Sequence, residues 1–385
     1  MELVYFHRFF GKHFSGVNKK IYSQVRNLSD LGLPSKILLV CDPSSHLLPD
    51  TYSQIVQIST PKPSLSVISK IWREYTINTI LEKTIKTLKS GDVLYLRSPY
   101  PSLFLSRIVK APRLCKIVIE HQTIEPVEYR LKGKYWYLLI DLLYGDALRR
   151  YSDAIIGVTD EITQYQVARS GNPEKPHLTL GNGIDDNAIP IRKCPPYQEN
   201  ELHLLCVASV NKWHGLDRLI KGLAEYKGIT RLTLHIAGEG SESLPLQQLS
   251  GKLGVAERVL FHGFQSGESL DNLFDQSHIA VGSLGLHRIG LKEASTLKSR
   301  EYCARGIPYI LAYIDPDFPD DFPYSLKVPA DESPIDMDQV LAFSSRVCQD
   351  PDHPGKMRHY ASLHLYWSIK MKILKDFLED LISKD

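Results

Sequence analysis

Residues 282–308 read GSLGLHRIGLKEASTLKSREYCARGIP, and they indicate the fold more clearly than any other segment of the chain. The pattern predicts the end of a strand, then a polar loop, then a short helix that stops at Gly306. Glycine is favoured immediately after a helix, and Pro308 cannot extend one. The apolar residues that follow, PYILAY (308–313), predict another strand. Strands that alternate with helices in this way are typical of an α/β protein with a parallel sheet.

Three of the charged side chains on this loop and helix form a candidate ligand site. Glu293 and Glu301 lie eight positions apart, and Lys298 lies between them. A strand–loop–helix junction lies at the carboxyl edge of a parallel sheet, where such sheets bind their ligands. A carboxylate accepts hydrogen bonds from two sugar hydroxyls, and a nearby lysine can meet a phosphate. The three residues together therefore predict a site for a sugar nucleotide.

The same alternation of short apolar runs and helical spacing extends through the whole chain. Most of the runs are nearly continuous in apolar residues, as expected for parallel strands that are covered on both faces. The predicted strands are 2–6, 36–41, 92–97, 116–120 and 154–159 in the first half, and 202–209, 231–237, 258–263, 278–283 and 308–313 in the second half. The sequence therefore predicts an α/β fold with parallel sheets.

Length and composition limit the class of protein. A chain of 385 residues exceeds one ordinary core, so two domains are expected. The net charge of +2 gives no reason to expect a nucleic-acid partner. The six cysteines are at least a dozen positions apart, which excludes a metal-binding pattern and fits reduced thiols in a cytosol. The N-terminus lacks the pattern of a signal peptide, and no apolar run approaches the length of a membrane span.

Several further segments, taken in order, carry a family resemblance. They are SGVNKKIYSQVRNLSDLG (15–32), SDAIIGVTDEIT (152–163), LGNGID (180–185), KWHGLDRLIKGLAEY (212–226), IAGEGSE (236–242), RVLFHGF (258–264) and Glu293-x7-Glu301 running into EYCARGIP (301–308). Together they resemble the retaining glycosyltransferases of family 4, in particular the capsular- and exopolysaccharide-type members. The matching segments cover most of the chain.

The resemblance implies the GT-B fold, in which two Rossmann-like domains with parallel sheets face a central cleft. Residues 1–190 would form an acceptor domain, and 202–354 would form a nucleotide-sugar domain. The segment 191–201, rich in proline and without apolar periodicity, is expected to be a linker. The tail, 355–385, has helical periodicity. The resemblance implies that this helical tail packs on the first domain. Periodicity alone also allows a helix that packs on the second domain.

The activity that the resemblance implies is hexosyl transfer with retention of anomeric configuration. The donor would be a nucleoside-diphosphate sugar, most simply a UDP- or GDP-sugar, and the acceptor a glycan or lipid-linked sugar in surface polysaccharide synthesis. No metal and no cofactor are expected; the acidic pairs Asp185-Asp186 and Asp320-Asp321 are interpreted as surface turns. Two alternatives stay open: a catalytically inactive subunit that binds nucleotide or glycan, and a GT-B sugar-nucleotide epimerase.

The diphosphate leaving group needs cations and close backbone approach. The residues expected to supply them are Gly16, Lys212, His214, Gly238, Gly240, His287, Arg288 and Lys298. Members of the family usually carry an arginine and a lysine where this chain has Ser209 and His214. Either Lys212 replaces them, or His214 contributes a donor.

The sugar and the acceptor need a second group of residues. By resemblance Glu301 would bind the ribose hydroxyls and Glu293 the donor hexose. Glu120 and His121 end a predicted strand, and the histidine can accept a proton near neutral pH. Arg97 ends the preceding strand and can reach a charged acceptor. The expected catalytic groups are His121, Glu293 and Lys298.

Residues 62–116 carry eleven lysines and arginines against three acidic residues. Clustered basic residues are attracted to anionic lipid head groups. This excess of eight positive charges predicts peripheral contact with an anionic membrane, at the inner face where lipid-linked acceptors lie. A solvated basic face explains the same charges equally well. The expected location is the cytoplasm.

Overall fold

The computed structural model describes residues 1–9, 16–41, 55–59, 67–185, 189–196 and 200–384. They form two compact units, unit 1 with Met1–Gly181 and Trp367–Asp385, and unit 2 with Asn182–Tyr366. Of the segments used above, residues 15, 62–66, 186, 197–199 and 385 lie outside the described residues. Within the described part, no helix is both long enough and apolar enough to cross a membrane.

Unit 1 contains a parallel sheet with helices on its faces. In chain order the strands are β1 (Leu3–Phe9), β2 (Ser35–Cys41), β3 (Ile55–Ser59), β4 (Val93–Arg97), β5 (Lys116–His121), β6 (Ala154–Gly157) and β7 (His177–Thr179). The helices are α1 (Gly16–Asp30), α2 (Val67–Thr87), α3 (Leu103–Lys110), α4 (Glu125–Leu131), α5 (Tyr135–Tyr151) and α6 (Asp160–Ser170). The strand order is β3-β2-β1-β4-β5-β6-β7, so the winding direction reverses between β1 and β4.

Unit 2 repeats this plan. Its strands are β8 (Glu201–Val207), β9 (Arg231–Ala237), β10 (Val259–Gly263), β11 (Ile279–Val281), β12 (Tyr309–Leu311) and β13 (Ser325–Lys327). Its helices are α7 (Leu216–Glu225), α8 (Ser243–Lys252), α9 (Glu268–Gln276), α10 (Leu297–Arg305), α11 (Met337–Cys348) and α12 (His353–His364). The parallel order is β10-β9-β8-β11-β12-β13, with the reversal between β8 and β11.

All ten predicted strands are present, with ends shifted by at most a few residues. Central strands such as β4 and β6 are buried along most of their length because helices cover both faces of each sheet. The three strands that the sequence did not reveal are β3, β7 and β13, and each lies at the edge of its sheet. The three-residue strands β7 and β13 are half-buried or exposed, so they lack the continuous apolar run that marks the equally short but buried strands β11 and β12.

The predicted linker and tail differ from the observed division. Arg192 is buried in unit 2, where it donates to the carbonyls of Ser277 (2.7 Å) and Gly306 (3.0 Å). Helix α12 packs on α10 in unit 2, whereas the last helix, α13 (Trp367–Ser383), belongs to unit 1. There it packs on α1, and Lys375 donates to the carbonyl of Leu31 (2.9 Å). The segment 355–385 is therefore divided between the two units.

Candidate functional site

Helix α10 of unit 2 carries two of the predicted residues and begins as the sequence indicates. Thr296 caps it by accepting a hydrogen bond from the Ser299 N–H (3.3 Å), and Gly306 ends it in the left-handed conformation at φ 76°. A side chain at Gly306 would meet the backbone of Pro354 at 2.4 Å. Glu293 lies outside the helix, in a short parallel bridge with Ile314.

Lys298 is in the first turn of α10, and its ammonium group is in an unusual environment. Part of the side chain reaches solvent, but Nζ is buried and has no hydrogen-bond partner among the described residues. Burial lowers the pKa of Lys298, and only the nearby Cys206 thiol opposes that shift. A buried ammonium without acceptors is costly, so this position is suited to an anionic ligand that supplies them.

His214 lies close enough to Lys298 for the two charges to interact. Burial and, to a smaller extent, the Lys298 charge lower the pKa of His214 to about 2, so the imidazole is neutral at pH 7. Its Nδ1 accepts a hydrogen bond from the Asn211 N–H (3.1 Å), which leaves the proton on Nε2. His214 can therefore offer a neutral N–H donor but not a second positive charge.

Glu301 lies near the end of α10 and is partly exposed. Its Oε1 accepts a hydrogen bond from Arg305 Nε (2.9 Å), and Arg305 also pairs with Asp271 (2.7 Å). No described residue bonds to the other carboxylate oxygen, Oε2. Arg305 therefore holds the Glu301 carboxylate in place, and its Oε2 is available to accept a hydrogen bond from a sugar hydroxyl.

The side chains of His287 and Arg288 are already paired with acidic residues of unit 2. Arg288 forms a two-point ion pair with Asp217 (2.7 and 2.8 Å) and also pairs with Glu332 (2.5 Å). These hydrogen bonds raise the pKa of Arg288 above its usual value. His287 Nε2 lies 2.8 Å from Glu332. Because Asp217 and Glu332 already pair with these two side chains, we do not include His287 or Arg288 in the diphosphate site.

The glycine turn after β9 packs closely against the backbone that follows β8. A Cβ at Gly238 would lie 1.9 Å from the Ala208 carbonyl oxygen, and one at Gly240 would lie 2.0 Å from that of Val210. Gly238 has φ 133°, which side chains rarely adopt. The two glycines are thus required by the fold, and their approach to a phosphate stays a prediction. Lys212 is exposed, two positions after Val210.

The arrangement in unit 2 matches the general position of ligand sites in doubly wound sheets. Ligands bind where the winding direction reverses, here at the carboxyl ends of β8 and β11. Cys206 is the penultimate residue of β8, and Lys298 lies near it. Across the described ranges, no three histidine, cysteine, aspartate or glutamate side chains are placed to hold a metal ion together.

In unit 1, His121 ends β5 and is 4% exposed. Its Nδ1 lies 2.5 Å from Glu125 Oε1, and its buried Nε2 has no partner among the residues described. Glu125 is held in turn by Arg149 (3.0 Å) and by Gln166 (2.7 Å). These contacts fix the orientation of the imidazole ring. Glu125 was not among the predicted site residues, although its spacing from His121 at a strand–helix junction is visible in the sequence.

The other predicted residues of unit 1 have different surroundings. Glu120 is buried and accepts hydrogen bonds from Lys20 (2.8 Å) and Tyr5 (3.1 Å). Burial alone would raise the pKa of Glu120, but Lys20 and Arg97 lower it below the usual value. The Glu120 carboxylate is therefore already paired with Lys20, and we do not include it among the residues that contact the acceptor. Gly16 begins α1, and Arg97 ends β4 beside a cavity.

Comparisons with known proteins agree with this geometry. Residues 190–317 match the family described as "Glycosyl transferases group 1". An uncharacterized glycosyltransferase of Methanocaldococcus jannaschii is 25% identical over 137 residues, which span 33% of this chain and 35% of that protein. Unit 2 therefore contains a glycosyltransferase group 1 domain.

Two solved structures are similar over nearly the full length. The apo form of the lipopolysaccharide outer core galactosyltransferase WaaB has a TM-score of 0.65 at 16% identity and covers 99% of each chain. HepE of Anabaena in complex with UDP-glucose has a TM-score of 0.66 at 12% identity, covering 99% of this chain and 100% of that one. The predicted α/β fold is thereby confirmed as that of GT-B glycosyltransferases.

Proposed function

We propose that this protein is a glycosyltransferase that moves a hexosyl group from a nucleoside-diphosphate sugar to a glycan or lipid-linked acceptor in surface polysaccharide synthesis. The observation that carries the proposal is the buried Lys298 ammonium, without an acceptor among the described residues, at the start of the helix that bears Glu301. The group 1 match covers this segment. A diphosphate would provide the acceptors that the ammonium lacks.

The diphosphate contacts follow from charge and position. Lys298 meets the leaving oxygens, where negative charge grows as the bond to the anomeric carbon breaks. His214 adds a neutral Nε2–H donor. Lys212, which is exposed, is the third candidate contact. Because the cations come from side chains, we propose transfer without a metal ion.

The donor sugar and its ribose are assigned to the two carboxylates. Glu301 Oε2 accepts from ribose hydroxyls, while Arg305 holds the other oxygen in place. Glu293 is outside the helix and is assigned to the hexose. We propose a UDP-sugar as donor, with a GDP-sugar as the alternative, because the similar HepE structure holds UDP-glucose. Retention of configuration is proposed from the resemblance of the Glu293-x7-Glu301 segment.

The acceptor is assigned to unit 1. The oxygen of an acceptor hydroxyl bonds to the anomeric carbon, and His121 Nε2 accepts the proton that this hydroxyl loses. Glu125 positions the imidazole for that step and stabilises the charge that it gains.

Replacing Glu301 with glutamine tests the proposal. We expect the transfer rate to fall about 10- to 100-fold, because hydrogen bonds to a charged acceptor contribute about 1.5–3 kcal/mol. The measurement is release of UDP and of glycosylated product from UDP-glucose. The exposed Glu225→Gln is the matched control and should retain the wild-type rate.

Nucleotide binding separates the alternatives. UDP at about 100 times its Kd should stabilise the folded protein by about 2.7 kcal/mol, with or without EDTA. Binding without any product would favour the inactive subunit, and an epimerised nucleotide sugar would favour the epimerase. No thermal shift with UDP, GDP, ADP, CMP or dTDP would contradict the proposed donor site.

We further propose that the protein works at the cytoplasmic face of an anionic membrane, through a surface of unit 1. Helices α2, α3 and α5 pack side by side, and they expose large apolar side chains. Trp72 and Trp136 are 65% and 68% exposed. Trp72 stacks on Tyr75 with ring centroids 5.6 Å apart, and Tyr75 meets Phe104 edge-to-face with ring centroids 6.1 Å apart. Aromatic side chains surrounded by basic residues are typical of proteins that lie in a lipid interface.

Co-sedimentation with liposomes tests this contact. Recovery should be higher with vesicles that contain phosphatidylglycerol than with pure phosphatidylcholine, because the basic residues of 62–116 attract anionic head groups. Trp136→Ser should reduce recovery several-fold, whereas Ile229→Ser, which removes a 98% exposed apolar side chain from unit 2, should not. Equal recovery from both kinds of vesicle would contradict the proposed contact.

A further inference from the structure

Unit 1 contains a cavity of about 300 Å³ at the point where the winding of its sheet reverses. The carboxyl ends of β1, β4 and β5 line it, together with side chains of α2, α3 and α4. This is the position at which doubly wound sheets bind ligands, and the volume is within the range of small-molecule sites.

The acidic residues of the cavity are already compensated. Burial alone would raise the pKa of Glu125, but His121 and Arg149 lower it to about 2, so the carboxylate is ionised and paired. Glu128 forms an ion pair with Lys132. Neither glutamate is available to neutralise another cation in the cavity.

The basic residues of the cavity are not all compensated. Arg8 forms an ion pair with Glu74. Burial lowers the pKa of His7 to about 4, so this imidazole is neutral at pH 7. Arg97 differs from both, because no described residue accepts a hydrogen bond from its guanidinium or lies within ion-pair distance, and its Nε is buried. Its charge acts on Glu120, whose oxygens instead bond to other groups.

Other features of the wall are consistent with a bound group. Gln122 has a buried Nε2 with no acceptor in the described part of the chain, so it is a second unsatisfied donor of the lining. Ser98, directly after Arg97, has φ 34°, a strained conformation that is concentrated at functional sites. Tyr100 and Tyr129 add aromatic surface, against which an apolar chain or a sugar ring can pack.

We propose that this cavity binds the anionic group of the acceptor, with Arg97 as its ion-pair partner. The planar guanidinium matches a carboxylate or a phosphate at two points. The inference rests on the proposed function and specifies it, since the acceptor is then a negatively charged sugar or lipid phosphate and not a neutral glycan.

Isothermal titration with two matched pairs of ligands tests the inference. Octyl β-D-glucuronide and octyl β-D-glucoside differ in one carboxylate, and farnesyl phosphate and farnesol differ in one phosphate. Below their micelle-forming concentrations, the anionic member of at least one pair should bind about tenfold tighter or better. The pair that shows this preference identifies the source of the anion. Equal affinity within both pairs would overturn the proposal.

Variants test whether the preference for the anionic ligand depends on Arg97 in the cavity. Arg97→Gln should abolish it, while affinity for the neutral ligands and for UDP stays unchanged, and Arg97→Lys should retain part of it. Arg107→Gln removes an exposed charge from α3, outside the cavity, and should retain all of it. A preference that survives Arg97→Gln would contradict the assignment. UDP and GDP are titrated in the same series. If the protein prefers the anionic ligands but binds neither nucleotide, the proposed transferase activity is contradicted and the anion site is not.

Discussion

Replacing Lys298 with methionine is expected to lower the transfer rate by about 10²- to 10³-fold, the usual cost of removing one group that stabilises charge in a transition state. The same change is expected to raise the free energy of unfolding by about 1–3 kcal/mol, because it removes a buried ammonium group that no described residue compensates. Affinity for UDP should fall as well.

A lower transfer rate together with a higher free energy of unfolding would identify Lys298 as a group that serves binding and not stability. Rates are measured with UDP-glucose, affinities by titration with UDP, and stability by urea denaturation of the protein without ligand. Lys252→Met removes an exposed lysine from α8 and should change none of the three. If Lys298→Met destabilises the protein, the ammonium has a structural function and the proposed diphosphate contact is wrong.

Replacing Arg300 with methionine is expected to lower the free energy of unfolding by about 3–5 kcal/mol. Arg300 is fully buried, bonds to Asp315 (2.8 Å) and Asp317, and donates to the carbonyl of Asn182 (3.0 Å). Its loss leaves the buried Asp315 carboxylate without its cation. Thermal unfolding should show a fall of about 10 °C in the Tm of unit 2.

The double variant Arg300→Met/Asp315→Leu provides the control. Removing both charges eliminates the uncompensated carboxylate, so this variant should recover part of the lost stability. An additive loss would show that the two residues do not depend on each other. UDP binding by the part of Arg300→Met that stays folded should be normal, since all of the described partners of Arg300 are protein groups.

The sequence predicted the central architecture because the signals are local. Strands β8 and β9 were recognised from their own apolar residues, and the end of α10 was predicted from Gly306. Each of these features depends on neighbours within a few positions. The edge strand β13 was missed because its three residues are partly exposed.

The sequence could not show which candidate site residues are free to contact a substrate, because that depends on partners that are distant in the sequence. Glu120 pairs with Lys20, one hundred positions earlier, and Arg288 pairs with Asp217, seventy-one positions earlier. Both had been predicted to contact substrate, and the contacts show instead that their charges are compensated. Glu125 was missed because its orienting contacts with Arg149 and Gln166 depend on how α5 and α6 pack.

Lys298 and Arg300 show the division most clearly. They are two basic residues, two positions apart on one short helix, and nothing local in the sequence distinguishes them. The sequence alone determined that both lie at the carboxyl edge of a parallel sheet. Only the tertiary structure decided their environments. Arg300 pairs with Asp315 and Asp317, which follow β12, whereas the Lys298 ammonium is buried without an acceptor among the described residues. The reason is physical: propensity and periodicity act between neighbours, whereas compensation of a charge depends on which groups the folded chain brings within a few ångströms of it.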